Sequence, residues 1–179
     1  MITAPARRFA LTGTPGAGKT VLGQALGLPL VAEAATDVIA RAHDAGVTEP
    51  WTRPDFAERI LDEQELRQAG APDAPVVIFD RSPLCTLALA RWLGVPVPAA
   101  LTGRVERMVA AGRYERRVFL VRPLGFVTPT AARRITHPDA LRFEAVHVEV
   151  YTEYGYELVD VPPGPVADRV ALVRGIIGG

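Results

Sequence analysis

The stretch Gly13-Thr14-Pro15-Gly16-Ala17-Gly18-Lys19-Thr20 decides the fold of this chain. It matches the pattern G-x-x-x-x-G-K-[ST], and it lies between an apolar run at residues 8–12 and a helical segment predicted at residues 19–28. A strand, a glycine-rich turn and a helix in this order form a loop whose backbone N–H groups and helix N-terminus bind phosphate groups. The alternative is a glycine-rich turn that only caps the helix.

Lys19 is the only lysine among 179 residues, although the chain has 20 basic side chains. The chain otherwise uses arginine as its basic residue, so a lysine at this point of the loop favours a phosphate-binding role. Lys19 would contact the β- and γ-phosphates of a nucleoside triphosphate, either ATP or GTP, and the Thr20 hydroxyl would be a ligand of Mg²⁺. The sequence therefore assigns residues 13–20 to nucleotide binding.

Short apolar segments alternate with helical segments along the rest of the chain. Further strands are predicted at residues 30–32, 76–80, 117–122 and 157–161. Helices are predicted at residues 34–45, 54–69, 84–93, 98–111 and 140–154, and from about residue 166 onward. This alternation predicts an α/β fold with a parallel five-stranded sheet flanked by helices, and the length of 179 residues fits a single domain, residues 1–179.

Composition argues against several classes of protein. The 20 acidic residues balance the 20 basic ones, so the chain lacks the basic excess of nucleic-acid-binding proteins, and we expect no nucleic-acid partner. Its uncharged stretches are shorter than the ~18 apolar residues of a membrane-spanning helix, so we expect no membrane span. Cys85, the single cysteine, cannot form an intrachain disulfide, which favours a reducing, cytoplasmic setting.

Acidic side chains follow two of the predicted strands. Asp80 ends the strand at residues 76–80 and would hold Mg²⁺ directly or through water, although an aspartate there can also cap the next helix. Glu33 follows the strand at residues 30–32 and would accept a proton from an attacking hydroxyl group. A glutamate at the start of a helix is also favourable because of the helix dipole alone.

Arginine and aromatic side chains complete the candidate site. Arg81 would lie at the carboxyl edge of the sheet, where ligands bind in open α/β folds, or would form a surface ion pair. Arg133 and Arg134 would neutralise charge on the triphosphate during transfer, or would be a solvated pair in a loop. Trp51 and Phe56 would form the wall of an acceptor pocket, or would belong to the ordinary core.

Together these motifs resemble the AAA_28 family of NadR/Ttd14-like ATPase domains, which are related to nucleoside and nicotinamide riboside kinases. The similar segments cover nearly the whole chain and are, in order, FALTGTPGAGKT, VAEAATDVI, PW with FAERIL, VVIFDRS, RYERRVFLV, the arginine pair and YTEYGYELVDVP. The resemblance implies a nucleoside-kinase-like P-loop fold with a mobile lid at about residues 125–139, which carries Arg133 and Arg134. It also implies that Asp80-Arg81-Ser82 corresponds to the acid-Arg-Ser signature of deoxynucleoside kinases.

Two functions are consistent with these residues. The first is a small-molecule kinase that binds MgATP or MgGTP and transfers the γ-phosphoryl group to the hydroxyl of an unidentified, nucleoside-like acceptor. Its catalytic residues would be Lys19, Glu33, Asp80, Arg81, Arg133 and Arg134, and its acceptor contacts would be Glu33, Trp51, Phe56 and Arg81. The second is a regulatory nucleotide-binding module that hydrolyses NTP slowly and has no acceptor. Only the kinase requires an acidic group and a closed pocket beside the γ-phosphate.

Overall fold

The protein is described by a computed structural model, which covers residues 6–125 and 135–179. Its strands are β1 (Arg7–Thr12), β2 (Leu30–Val31), β3 (Val76–Asp80), β4 (Arg117–Val121) and β5 (Glu157–Val161). Its helices are α1 (Lys19–Ala25), α2 (Ala34–Asp44), α3 (Phe56–Ala69), α4 (Pro83–Leu93), α5 (Ala99–Ala110), α6 (His137–Glu153) and α7 (Val166–Gly178). A short 3₁₀ helix, Pro50–Thr52, lies between α2 and α3.

The five strands form one parallel sheet in the order β2-β3-β1-β4-β5. In the centre of the sheet, Leu11 of β1 lies opposite Asp80 of β3 and Phe119 of β4. Because the strands are parallel, the loops that follow β1, β2 and β3 leave the sheet at the same edge. This edge therefore brings together the glycine-rich loop, Glu33 and the segment that begins at Asp80.

Alternate residues of the strands point to opposite faces of the sheet and form two buried cores. On β1 and β4, Phe9 and Phe119 face one core, which includes Leu22 of α1 and Val173 of α7. On β3, Phe79 faces the other core, which is built with residues of α3, α4, α5 and α6. Both faces of the sheet are thus covered, as the apolar character of these strands requires.

The positions of the strands and helices confirm the fold that the sequence predicts, although several ends differ. Helix α1 ends at Ala25 rather than at residue 28, because Gly27 adopts a left-handed backbone conformation with φ of 62°. Helix α6 begins at His137 rather than at residue 140, because the Thr136 side chain caps it by accepting a hydrogen bond from the Asp139 N–H at 3.3 Å. Within residues 6–125 and 135–179, no helix combines the length and apolar character needed to cross a bilayer.

Candidate active site

The glycine-rich loop between β1 and α1 depends on three glycines with left-handed φ angles. These angles are 125° at Gly13, 83° at Gly16 and 85° at Gly18. At Gly13 the requirement is also steric, because a Cβ there would lie 2.4 Å from the backbone oxygen of Val121 at the end of β4. The loop therefore has a backbone shape that other residues at these positions would strain.

Lys19, the first residue of α1, is buried in this loop. Its Nζ atom donates a hydrogen bond to the backbone oxygen of Thr14 at 2.6 Å, so the side chain folds back over the loop. Burial and the nearby charge of Arg81 together lower the pKa of Lys19 to about 8, and the charges of Asp80 and Glu33 oppose this shift only in part. A bound anion would stabilise this ammonium group.

Thr20 and Asp80 connect the loop to β3. The Thr20 hydroxyl donates a hydrogen bond to Asp80 Oδ2 at 2.6 Å, while Asp80 Oδ1 is buried and has no partner among the described residues. A hydroxyl oxygen beside a carboxylate with a spare oxygen is a donor set that suits Mg²⁺, which prefers oxygen ligands. These two residues therefore fit the metal site that the sequence predicts.

Arg81 connects the loop to Glu33. Its Nε atom donates to Glu33 Oε1 at 2.5 Å, and its guanidinium also donates to the backbone oxygen of Gly13 at 3.1 Å. Among the described residues other than glycine, Arg81 is the only one with a positive φ, 80°. An arginine held in this conformation carries backbone strain, a feature that is common at functional sites.

The ion pair sets the charge state of both partners. Burial raises the pKa of Glu33, but the charges of Arg81 and Lys19 more than offset burial and hold the pKa below its usual range. Burial lowers the pKa of the Arg81 guanidinium, but the charges of Glu33 and neighbouring acidic groups more than offset burial and keep that pKa above its usual value. Glu33 is therefore a carboxylate, and Arg81 a cation, near neutral pH.

A pocket of about 290 Å³ opens beside this ion pair. Glu33, Arg81 and Asp139 contribute charged groups to its wall, and Pro15 contributes a residue of the glycine-rich loop. Aromatic rings also line the pocket, and they belong to Trp51, Phe56, Trp92 and Phe143. The structure thus brings the predicted acceptor residues together next to the glycine-rich loop.

Trp51 and Phe56 each contact both a core cluster and the pocket. Phe56 is only 4% exposed and packs in a small core cluster with residues of α2 and α3, yet its ring also lines the pocket. Trp51 lies in the 3₁₀ helix, packs against the same cluster and lines the same pocket. Each ring therefore belongs to a core cluster and to the pocket wall.

Polar side chains that the sequence analysis did not single out also line or support the pocket. Gln64 of α3 and Thr86 of α4 lie in its wall, and the Thr86 hydroxyl donates to Gln64 Oε1 at 2.9 Å. Arg67 donates to the backbone oxygens of Ala32 and Glu33 at 3.0 and 2.8 Å, which fixes the backbone that carries the Glu33 carboxylate. No sequence motif marks these residues, since their roles arise from packing between distant helices.

The two arginines predicted to close over the triphosphate, Arg133 and Arg134, lie outside the described residues. Most of the predicted lid, residues 126–134, also lies there. At its far end, residues 137–139 belong to the first turn of α6.

Solved structures that share this fold include two complexes of NadR proteins. A NadR protein in complex with NAD and AMP-PNP is 15% identical with a TM-score of 0.70, and 97% of this chain aligns with 50% of that one. A NadR protein in complex with NR is 16% identical with a TM-score of 0.70, over 97% of this chain and 52% of the other. This chain thus spans about half the length of those NadR chains.

A smaller protein matches over its whole length. The deoxyadenosine kinase from M. mycoides, with products dcmp and a flexible dcdp bound, is 16% identical with a TM-score of 0.58, over 96% of this chain and 98% of that one. At these identities the similarity shows a shared fold. A comparison with curated protein sequences gives no match.

The sequence itself identifies the family. The profile of AAA_28, described as an AAA domain, matches residues 8–169. These residues include the glycine-rich loop, Glu33, the Asp80-Arg81 pair and both predicted lid arginines. The match covers most of the chain, from β1 into α7, in agreement with the resemblance seen in the motifs. This chain belongs to the AAA_28 family of AAA domains.

Proposed function

We propose that this protein is a small-molecule kinase that transfers the γ-phosphoryl group of MgATP or MgGTP to a hydroxyl group of a nucleoside-like acceptor. The observation that carries the proposal is the position of Arg81, whose guanidinium contacts both the Glu33 carboxylate in the pocket and the Gly13 backbone oxygen in the phosphate loop. An acceptor in the pocket would therefore lie beside the phosphates of the nucleotide. A module that only bound or hydrolysed NTP would not need this pocket.

The roles of the loop residues follow from their geometry. The backbone N–H groups of residues 13–20 would surround the phosphates, and Lys19 would exchange its bond to the Thr14 oxygen for bonds to phosphate oxygens. Thr20 and Asp80 would hold Mg²⁺ together with phosphate oxygens, and the metal when bound neutralises charge on the triphosphate. In the described part of the chain, no group of three or more His, Cys, Asp or Glu side chains is placed to hold a metal ion, and the metal ligands that we propose are Thr20 and Asp80.

In the transfer step, the acceptor hydroxyl oxygen forms a bond to the γ-phosphorus as the bond from that phosphorus to the β,γ-bridging oxygen breaks. The nucleoside diphosphate leaves, and the hydroxyl proton passes to the Glu33 carboxylate. The lowered pKa of Glu33 makes it a weak base, which suits a loose transition state in which the proton leaves late. Arg81 would stabilise charge on the transferring group.

The pocket wall favours a flat acceptor without negative charge. Its aromatic rings offer faces and edges against which a planar ring packs well. Among the described residues of the wall, Arg81 is the only cation, and it is already paired with Glu33. The Gln64 amide accepts from Thr86, so its N–H groups serve as donors to an acceptor oxygen or ring nitrogen. Nucleosides have this chemistry, whereas nucleotides and carboxylic acids do not.

Incubation of the protein with Mg²⁺, γ-labelled ATP or GTP, and a panel of acceptors would test the proposal. The panel comprises purine and pyrimidine nucleosides, nicotinamide riboside, and the corresponding monophosphates. We expect label on the hydroxyl of a nucleoside-like compound and none on the monophosphates. Release of labelled phosphate alone, with every acceptor unlabelled, would contradict the kinase and support an NTPase.

A pocket variant adds specificity to this test. Trp51→Ala removes a ring from the wall, so we expect it to raise the KM for the acceptor while the KM for the nucleotide stays unchanged. Leu66→Ala is the matched control, because Leu66 is 69% exposed and lies outside this pocket. Equal KM values for the acceptor in the Trp51 variant and the wild type would exclude this pocket as the acceptor site.

A further inference from the structure

Arg169 of α7 is buried against the phosphate loop. It is only 4% exposed, and its guanidinium donates three hydrogen bonds, each from a different nitrogen, to backbone oxygens. The Nε bond reaches Pro162 at 2.9 Å, and the bonds from the two terminal nitrogens reach Ala17 at 2.9 Å and Arg122 at 2.8 Å. Because three carbonyl groups fix its plane, the side chain has a single defined position.

The three carbonyl groups belong to three neighbouring loops at the carboxyl edge of the sheet. Ala17 lies in the phosphate loop after β1, Arg122 follows β4, and Pro162 follows β5. The strands that carry these loops are adjacent in the order β1-β4-β5. A single guanidinium thus fixes the phosphate loop to the two loops next to it.

The charge of Arg169 has no acidic partner among the described residues. All of its hydrogen bonds go to carbonyl oxygens, and burial lowers the pKa of the guanidinium below its usual value. A buried cation without an acidic partner destabilises the folded protein, and backbone dipoles offset only part of this destabilisation. The charges of a bound triphosphate would offset more of it.

Contact with the loop is close at the peptide group between Ala17 and Gly18. Arg169 bonds to the oxygen of this peptide, and a Cβ added at Gly18 would lie 3.2 Å from its guanidinium. A charged hydrogen bond to the C=O of a peptide polarises that peptide and makes its N–H a stronger donor. Here the N–H is that of Gly18, within the pattern whose N–H groups bind phosphate.

We infer that Arg169 is a positioning residue of the nucleotide site, which fixes and polarises the Ala17–Gly18 peptide so that its N–H binds the β- and γ-phosphates. The inference rests on the nucleotide binding in the proposed function, but it does not depend on the acceptor. It assigns to α7 a part in phosphate recognition that lies outside the glycine-rich motif.

Calorimetric titration of ATP, ADP and AMP against variants of the full chain tests the inference. Arg169→Met keeps a long unbranched side chain without charge, and we expect it to weaken ATP and ADP binding about 10-fold, the loss of one charge-assisted hydrogen bond, with AMP changed less than 2-fold. Arg169→Lys keeps the charge and should give an intermediate affinity for ATP. Arg174→Met is the control, because Arg174 lies on the same helix but donates to Leu26, away from the loop, and it should bind all three nucleotides like the wild type.

The dependence on phosphate number separates positioning from a structural role. If Arg169 only stabilised the fold, its variants would lose thermal stability and would bind ATP and AMP more weakly by the same factor. That result would overturn the inference, and so would a wild-type affinity for ATP in Arg169→Met. If Arg169→Met does not fold, the same comparison of ATP affinity with AMP affinity is made on Arg169→Lys. A wild type that binds ATP but phosphorylates no acceptor would refute the kinase and leave this inference intact, and a wild type that binds no nucleotide would overturn both.

Discussion

The hydroxyl of Thr20 lies 2.6 Å from Asp80 Oδ2 and donates a hydrogen bond to it, which joins the start of α1 to the end of β3. The other Asp80 oxygen is buried without a partner among the described residues. Two oxygen-bearing side chains from separate segments therefore lie side by side, as the proposed Mg²⁺ site requires.

Asp80→Asn should remove most of the effect of Mg²⁺ on nucleotide binding, because an amide is a poorer ligand than a carboxylate for this hard cation. We expect ATP affinity in the presence of Mg²⁺ to fall about 10-fold or more, and ATP affinity in EDTA to change little. Titration calorimetry with and without Mg²⁺ measures both. Asp62→Asn, an exposed carboxylate on α3, is the control, and an unchanged Mg²⁺ effect in the Asp80 variant would remove Asp80 from the metal site.

Nucleotide affinity should fall as the pH rises through about 8, because Lys19 loses its proton there. The folded-state pKa of Lys19 is below its ordinary value, so the ammonium is present at pH 7 and largely absent at pH 9. Bound phosphates favour the charged form, and binding at pH 8 to 9 should take up a proton. Calorimetry in two buffers of different ionisation enthalpy measures this uptake.

The control for the pH experiment is Lys19→Ala, which deletes the ammonium. We expect a folded protein that has lost most of its affinity for ATP and GTP at pH 7 and takes up no proton through this group. Circular dichroism and a thermal melt establish folding. A folded Lys19→Ala protein with normal affinity would mean that the loop has only a structural role.

Glu33→Gln should lower transfer to the acceptor by ~10²- to 10⁴-fold while nucleotide affinity stays within a few-fold of wild type. The amide oxygen of glutamine can still accept from Arg81, so the ion pair becomes a neutral hydrogen bond and the pocket keeps its shape. Steady-state kcat and KM values for both substrates test this. Glu153→Gln, an exposed carboxylate paired with Arg91, serves as the control. Normal phosphotransfer in the Glu33 variant would contradict the general-base role of Glu33 but would not affect the proposed nucleotide site.

Gly13→Ala should destabilise the protein by about 2 kcal/mol or more, because it combines a left-handed φ of 125° with a Cβ 2.4 Å from the Val121 oxygen. Urea unfolding measures the free energy of unfolding. The matched control is Gly175→Ala in α7, where a Cβ meets nothing within 4 Å, and we expect it to stabilise the protein by about 0.5 to 1 kcal/mol. A Gly13 variant as stable as wild type would show that the loop backbone can adjust.

The sequence was sufficient to predict the sheet and the glycine-rich loop between β1 and α1 because their signals are local. Five apolar runs correspond to strands, and the spacing of the loop glycines follows from the left-handed φ angles of Gly13, Gly16 and Gly18. The start of α6 also has a local signal, which is Thr136 with Asp139 three residues later.

The partners of the site side chains could not be predicted in the same way. The bond between Arg81 and Glu33 joins residues 48 positions apart, and the bond between Arg169 and Ala17 joins residues 152 positions apart. Such pairs depend on how α3, α4 and α7 pack against the sheet, which is determined by the whole core and not by any short pattern. For this reason the sequence identified Glu33 and Arg81 separately, but missed their ion pair and the role of Arg67.

Pro15 is part of the glycine-rich loop and also lines the pocket beside Glu33 and Arg81. In the proposed kinase, a shift of Pro15 on nucleotide binding would change the shape of the acceptor pocket. The nucleotide would then alter the affinity for the acceptor, and by thermodynamic reciprocity the acceptor would alter the affinity for the nucleotide by the same factor.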